Sequence, residues 1–318
     1  MYCQLNKVGV GELKKQRFEN LNGVQNQHGV RDFINWYRER MSKKKDLRKT
    51  IAVEHQPDYR NIHNANVDSL SWIGHATFFI RINGLTVVTD PVWTNFMGTT
   101  KRNVPVTIPI DHLPEIDVVL ISHGHYDHLH LPSLRNLPGD PLFLIPKGLK
   151  AFMKKRGFLE DRLIELDWWQ HYCIQNVTFT FVPAQHWVKR GLFDTNTSRW
   201  GGWVLESTDQ SLYFAGDSGY FEGFKQLQSV KRINYALVPI GAYEPEWFME
   251  LDHMNPEQAV QAFIDLGASH MVPMHYGTFR LADDTGPEAL ERFEQAWEEQ
   301  GLAAKKKSVL PIGGTLCL

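Results

Sequence analysis

A layered α/β fold is predicted for this chain, and three observations carry the prediction. From Val67 onward the residues fall into short runs of β-type side chains separated by turn signals. Further on, strand-like apolar runs alternate with helical segments, as where Leu142-Phe143-Leu144-Ile145 gives way to Lys147–Lys155 and a closing Gly157. The third observation is the run Ile116–Ile121, a buried strand in character, which opens directly into Ser122-His123-Gly124-His125-Tyr126-Asp127-His128. In α/β sheets, functional side chains gather on the loops at the carboxyl ends of strands.

Length and composition set the outer bounds. A chain of 318 residues forms one large or two medium domains, and 42% hydrophobic with 22% charged residues is ordinary for a globular protein with a full core. A formal net charge of -2 argues against a general nucleic-acid binder. The three cysteines, Cys3, Cys173 and Cys317, lie far apart, which is no disulfide framework and fits a reducing compartment. The first ten residues lack an apolar signal core and no stretch reaches membrane-spanning length, so a cytoplasmic protein is expected.

Residues 1–66 read as a basic, partly helical extension ahead of a main domain over 67–318. They hold thirteen Lys and Arg against seven Asp and Glu. Val30, Phe33, Ile34, Tyr37 and Met41 recur at helical spacing, predicting a short amphipathic helix that ends near Ser42-Lys43-Lys44-Lys45. A short stripe of this kind is expected to pack on the main domain. Its other reading is peripheral contact with an anionic membrane.

The main domain opens with three strands, Ser69–Ile73, Thr77–Ile82 and Leu85–Thr89, the last two joined by an Asn83-Gly84 hairpin turn. The third ends at Asp90-Pro91. Asp90 either caps that turn or accepts a hydrogen bond from the free ring nitrogen of a metal-bound His. His75, after Gly74, is expected to be a hydrogen-bonded structural residue. Residues 94–115 form a connection that could border a pocket.

In the loop after Ile121, four metal-capable side chains (His123, His125, Asp127 and His128) fall within six positions. His123 and His125 are two apart and project to one side in extended backbone, with Gly124 letting the chain bend closely around an ion. One metal could take this pair and a second the pair Asp127 and His128. Imidazole and carboxylate suit zinc, with manganese, iron or nickel as alternatives. A helix start follows at Leu131-Pro132.

The second half repeats the pattern. His186 lies beyond the strand-like run Val177–Val182, and Asp217 follows the run Ser211–Ala215, itself next to the strand-like Trp200–Glu206. Ala236–Ile240 is another buried strand, followed by the aromatic loop Tyr243–Met249, which suits either a pocket wall or the core. Asn255-Pro256-Glu257-Gln258 carries a capping-box signature for a helix that closes at Gly267. A last helix is expected from Pro287 to about Gln300, and the tail Leu310–Leu318 suits an edge strand.

His-x-His-x-Asp-His after a buried strand resembles the metal-binding signature of the metallo-β-lactamase superfamily, whose fold is a four-layer αββα sandwich. The resemblance implies three further ligands in the order His, Asp, His, which the chain supplies as His186, Asp217 and His275. Trp72-Ile73-Gly74-His75-Ala76-Thr77, Thr89-Asp90-Pro91-Val92-Trp93, the segment Pro239–Met249 and His275-Tyr276-Gly277-Thr278-Phe279 are similar to the branch of N-acylphosphatidylethanolamine-hydrolysing phospholipases D. The L-ascorbate-6-phosphate lactonases are a more distant likeness.

What the resemblance implies is a binuclear metal-dependent hydrolase with two divalent ions, Zn2+ foremost. His123, His125 and His186 would hold the first, Asp127, His128 and His275 the second, and Asp217 would bridge them. Asp90 would stand behind a ligand, and His253 would hydrogen-bond the leaving-group or a phosphate oxygen. Catalysis would rest on Asp127, Asp217 and His253, with a bridging hydroxide attacking a phosphodiester or lipid-like substrate, and the aromatic loop would line a pocket. The same site could open a lactone or an amide. A redox or non-catalytic metal-binding protein on this fold is the reading of another class; the chain has no spare length for a flavin domain, and all seven ligand groups are present.

Overall fold

The computed structural model describes residues 17–25, 28–42, 45–46 and 49–318. In chain order the elements are α1 (Val30–Ser42), α2 (Tyr59–His63), β1 (Ser69–Gly74), β2 (Thr77–Ile82), β3 (Leu85–Thr89), β4 (Phe96–Met97), β5 (Thr100–Lys101), β6 (Val118–Leu120) and α3 (Leu131–Arg135). β7 (Leu142–Pro146), α4 (Lys150–Lys154), β8 (Leu163–Leu166), β9 (His171–Ile174), β10 (Val177–Val182), β11 (Gly202–Glu206), β12 (Ser211–Phe214) and α5 (Gly223–Val230) follow. The chain closes with β13 (Tyr235–Pro239), α6 (Glu246–Met249), α7 (Pro256–Leu266), β14 (His270–Met274), α8 (Gly286–Glu299) and β15 (Thr315–Cys317).

Two sheets form the centre. The first has the order β15-β1-β2-β3-β6-β7-β8 and the second β14-β13-β12-β11-β10-β9. In β2 every residue is buried, and alternate side chains serve different layers: Phe78, Ile80 and Ile82 join the large core cluster shared with the second sheet, while Phe79 joins a second cluster with Ile62 of α2, Leu134 of α3 and Met153 of α4. On the far side, Phe224 of α5, Phe263 of α7 and Phe293 and Trp297 of α8 belong to the large cluster. The result is helix, sheet, sheet, helix, the αββα arrangement. Burying each large side chain of this kind contributes roughly 1.5–3 kcal/mol.

Local signals act where they were expected. Asn83 and Gly84 both have positive φ (48° and 80°), as a type I′ hairpin turn requires. Asn255 and Gln258 form the reciprocal capping box of α7, and Gly267 ends that helix in the left-handed conformation. The tail returns as β15, antiparallel to β1 at the sheet edge. α4 is shorter than expected, because residues 147–149 turn first, with Gly148 at φ 97°.

The expectation for the N-terminal helix needs correction. α1 forms over Val30–Ser42, yet its apolar stripe faces outward, with Val30 79%, Phe33 54%, Ile34 46%, Tyr37 55% and Met41 71% exposed. The opposite side meets the main domain. There Trp36 stacks on Phe248 at 5.6 Å and donates from Nε1 to Asp283, and Trp247 donates to Glu39. The aromatic loop is thereby partly explained: Trp247 and Phe248 hold α1, and Tyr243 is buried in the core. Lys43 and Lys44, expected at the end of this helix, and Cys3 lie outside the described residues.

Strand direction positions the site. β1, β3 and β6 run the same way, as do β10, β12, β13 and β14. Their carboxyl ends meet at one edge of the sandwich. The sheets are stitched together there, since Gly201 N–H donates to Ser122 O and Trp203 Nε1–H to Ile121 O.

Candidate metal centre

The loop leaving β6 carries His123, His125, Asp127 and His128, and several contacts fix its course. Arg190 Nη1 donates to the carbonyls of Gly124 (2.7 Å), His125 (3.0 Å) and Leu129 (3.1 Å) while its guanidinium lies over the Tyr126 ring. Gly124 is needed for space and not for a special φ: a Cβ there would sit 2.9 Å from Val188 Cγ2. Gly216, with φ 63°, brings Asp217 in under the loop; a Cβ would lie 2.6 Å from that of Ser122.

Two groups of ligand atoms result. In the first, His123 Nε2 is 2.9 Å and His186 Nε2 3.2 Å from His125 Nδ1. The outward nitrogens are spoken for: His123 Nδ1 donates to Ser122 Oγ (2.9 Å) and His186 Nδ1 to the Asp252 carbonyl (3.0 Å). Both Nε2 atoms therefore turn lone pairs toward His125. Burial pushes His123 and His186 well below the usual imidazole range and His125 to about 4. At neutral pH these are uncharged imidazoles, each with one nitrogen lone pair free to ligate.

The second group is His75, Asp127, His128 and His275. Register sets Asp90 beside Ser122, because β3 and β6 pair in parallel with Thr89 opposite Leu120. Asp90 accepts from Ser122 N–H (2.7 Å), Ser122 Oγ–H (2.5 Å) and His128 Nδ1 (2.7 Å). One buried carboxylate thus aims His128 directly and His123 through the serine hydroxyl. That is the arrangement of an outer hydrogen-bond acceptor behind ligating imidazoles. His75 donates from Nε2 to Asp127 Oδ2 (3.0 Å), and its ring lies 3.9 Å from that of His275. It is hydrogen-bonded, as expected, but inside the cluster.

Asp217 lies between the groups. Its Oδ2 is 3.1 Å from His128 Nε2, 3.9 Å from His186 Nε2 and 4.0 Å from His123 Nε2, and its Oδ1 is 3.1 Å from His275 Nε2. His253 Nδ1 stands 4.0 Å from the same Oδ2. Among the described residues, His128 Nε2, His275 Nε2 and Asp217 Oδ1 are buried without a hydrogen-bond partner. Close but misaligned donors, facing each other across buried space, fit side chains that share a cation.

Charge supports the same fit. Burial is the largest single influence on Asp217 and Asp127 and raises both, but the neighbouring histidines together outweigh it, His128 with His275 for Asp217 and His128 with His75 for Asp127, and both carboxyls sit below their usual range. Burial lowers His128, yet Asp217, Asp127 and Asp90 overcome it and hold that imidazole well above its ordinary value. Three carboxylates around one imidazole call for positive charge at this spot.

All seven ligands expected from the sequence meet at this edge, with Asp90 behind them and His253 at the rim. The sequence reading missed Ser122, the Arg190 clamp and the closeness of His75 to Asp127. Only the adjacency of Ser122 to His123 was a visible signal.

Comparison with known proteins identifies the family. The profile of the Beta-lactamase superfamily domain matches residues 86–276. The chain is 38% identical over 253 residues to an uncharacterized protein of Mycobacterium tuberculosis, covering 76% of this chain and 67% of that one. It is 35% identical over 258 residues to N-acyl-phosphatidylethanolamine-hydrolyzing phospholipase D 1 of Caenorhabditis elegans, covering 76% and 72%. The structure of Igni18, a metallo hydrolase of Ignicoccus hospitalis KIN4/I, superposes with a TM-score of 0.60 at 24% identity over 79% of this chain and 98% of that one, a likeness of fold. With a matched profile over more than half of its length and relatives at 35% and 38% identity, the chain belongs to the metallo-β-lactamase superfamily and is a metal-dependent hydrolase within it.

Proposed function

We propose that the protein is a binuclear phosphodiesterase whose substrate is a glycerophospholipid of the N-acylphosphatidylethanolamine kind. The observation that carries the reading is the position of Asp217, with one carboxylate oxygen toward His275 and the other toward His128, His123 and His186. In this reading His123, His125 and His186 hold one ion, Asp127, His128 and His275 the other, and Asp217 spans both. Zinc is the ion these donors suit first. When bound, such a pair lowers the pKa of water from about 15.7 toward about 7 and supplies Lewis acidity to both the attacking and the leaving oxygen.

The chain's own residues do the rest. Asp90 and Ser122 keep His128 and His123 in the tautomer that presents Nε2. Burial holds His253 at about 4, so at neutral pH it is an uncharged imidazole, able to hydrogen-bond the leaving or a phosphate oxygen without repelling a cation. The lipid part of the reading draws on the name of the Caenorhabditis elegans relative and on the outward apolar stripe of α1.

Purified, metal-quantified protein assayed against bis-(p-nitrophenyl) phosphate, an N-acylphosphatidylethanolamine dispersion and a panel of small lactones tests this. Chelator-sensitive cleavage of the diesters is expected; turnover of lactones alone would overturn it. No helix among the described residues is long and apolar enough to cross a membrane. In this reading the outward stripe of α1 makes a peripheral lipid contact. Flotation with anionic liposomes should bring the intact chain up and leave a chain lacking residues 1–50 behind. Equal recovery would sink that part of the reading.

A further inference from the structure

A cavity of about 270 Å³ counts His275 and Ala242 among its lining residues and lies between the β4–β5 hairpin, the loop after β14 and residues 49–51. Its charge is unlike that of the chain. The whole sequence has 34 Lys and Arg against 36 Asp and Glu, yet the cavity is lined by Arg40, Lys49, Lys101 and Arg280 with Asp284 as the one carboxylate. Asp284 does little to balance them. Its oxygens are occupied by the backbone N–H groups of Ala242, Tyr243 and Glu244.

The cations are placed and largely unspent. Arg40 is 3.5 Å from Asp283, but Lys49, Lys101 and Arg280 have no carboxylate partner among the described residues. Arg280 donates Nη2 to the Asp283 carbonyl, which leaves its buried Nε–H without an acceptor. Lys101 is exposed but not adrift. The next residue, Arg102, is buried, bridges to Phe279 and donates to the carbonyls of Ile73, Val92 and Val104. A cleft of one sign concentrates counter-charge.

We propose that this cavity is an anion subsite that takes a second negatively charged group of the substrate, a phosphoryl or carboxyl group on the part of a phosphodiester lying beyond His275. The inference rests on the phosphodiesterase reading and narrows its substrate to a phosphodiester carrying a further anionic group, because an N-acylphosphatidylethanolamine, whose only charge is the diester itself, would leave these cations unused. Bidentate or paired cation contacts to a phosphate or carboxylate are among the stronger polar interactions available.

The test compares three p-nitrophenyl phosphodiesters, of glycerol, glycerol 3-phosphate and glycerate, with the metal-loaded full chain. The two anionic diesters should exceed the glycerol ester in kcat/KM by about ten-fold or more, mainly through KM. Which of them leads tells phosphoryl from carboxyl. Lys101→Gln, at an exposed position, and Arg280→Gln should each pull that ratio toward one, whereas Arg280→Lys should keep most of it. Equal kcat/KM for all three diesters in the wild type overturns the subsite and leaves the phosphodiesterase reading standing. If no diester is cleaved, that reading falls, and calorimetry with inorganic phosphate decides the subsite: a second equivalent bound by wild type and lost in Lys101→Gln supports it, and identical stoichiometry in both overturns it.

Discussion

The two ligand groups on either side of Asp217 differ in how their imidazoles are held and in how much charge surrounds them. His123, His125 and His186 form a neutral cage whose outer partners are a serine hydroxyl and a backbone carbonyl. His128 and His275 sit in a charged one, with Asp127 and Asp217 at the ligand level and Asp90 behind. In the proposed two-ion reading the neutral cage would hold its ion by lone pairs alone, so electrostatics would favour the carboxylate-rich side for the tighter ion. The cationic cavity counts His275 among its lining residues, and that residue belongs to the carboxylate-rich side. An anionic substrate drawn into that cavity would meet the ion that the carboxylates hold most strongly.

The sharpest way to break the comparison is at the shared residue. Asp217→Asn keeps the size of the side chain and removes its charge from both cages. Turnover should fall by more than about a thousand-fold, one equivalent of metal should be lost on gel filtration, and the circular dichroism should stay native. Metal analysis beside the rate assay checks this. Full activity would mean that the two cages work apart.

Asp90→Asn comes next. Since Asp90 takes hydrogen bonds from both Ser122 and His128, the variant should loosen His128 directly and His123 by way of the serine. A loss of about 10–100-fold in activity or metal affinity is expected, larger for the charged cage. Ser122→Ala removes the relay to His123 and one of the hydrogen bonds to Asp90 but leaves the direct Asp90–His128 bond, and should weaken the neutral cage more than the charged one. Competition with a graded chelator series separates the two, and equal losses at both ions in Ser122→Ala would refute the division of labour.

His75 divides two roles within the charged cage. It either helps to ligate or orients Asp127 through the 3.0 Å hydrogen bond. His75→Asn should cost about ten-fold in kcat with both ions retained if it orients; loss of one equivalent would make it a ligand. Its neighbour Thr278, which accepts from His75 N–H, offers a milder probe of the same placement.

These contrasts also show what a sequence can carry. The cluster His123, His125, Asp127 and His128 was legible because spacing after a strand end is local, whereas His186, Asp217 and His275 were picked out by the resemblance to the superfamily signature. Asp90 was legible as an outer acceptor only as one of two readings, since which partner it meets depends on the register of β3 with β6. Arg190 lay beyond reach, because nothing near it in sequence announces a clamp on a loop some sixty residues away. The stripe on α1 was readable as apolar but not in its direction. Periodicity says which residues share a face; whether that face or its opposite meets the core depends on Trp36, Phe248 and Asp283 finding one another.

The smallest expected effect concerns His253, whose Nδ1 stands 4.0 Å from Asp217 Oδ2 and which groups with His186 and Asp217. Burial lowers it to about 4, against about 6.5 when unfolded. The unfolded chain therefore binds more protons than the folded one between those values, and stability falls as the pH drops from 7 toward 4. At pH 5 the cost of keeping one such imidazole neutral approaches about 2 kcal/mol as an upper bound. His253→Gln removes that contribution, so the urea midpoint should decline less steeply between pH 7 and pH 5 than in the wild type. At pH 7.5 the same variant should lose several-fold in kcat with its metal content intact. A drop in metal content would move His253 into the neutral cage, and an unchanged pH slope would show that its ring is solvated in the folded protein.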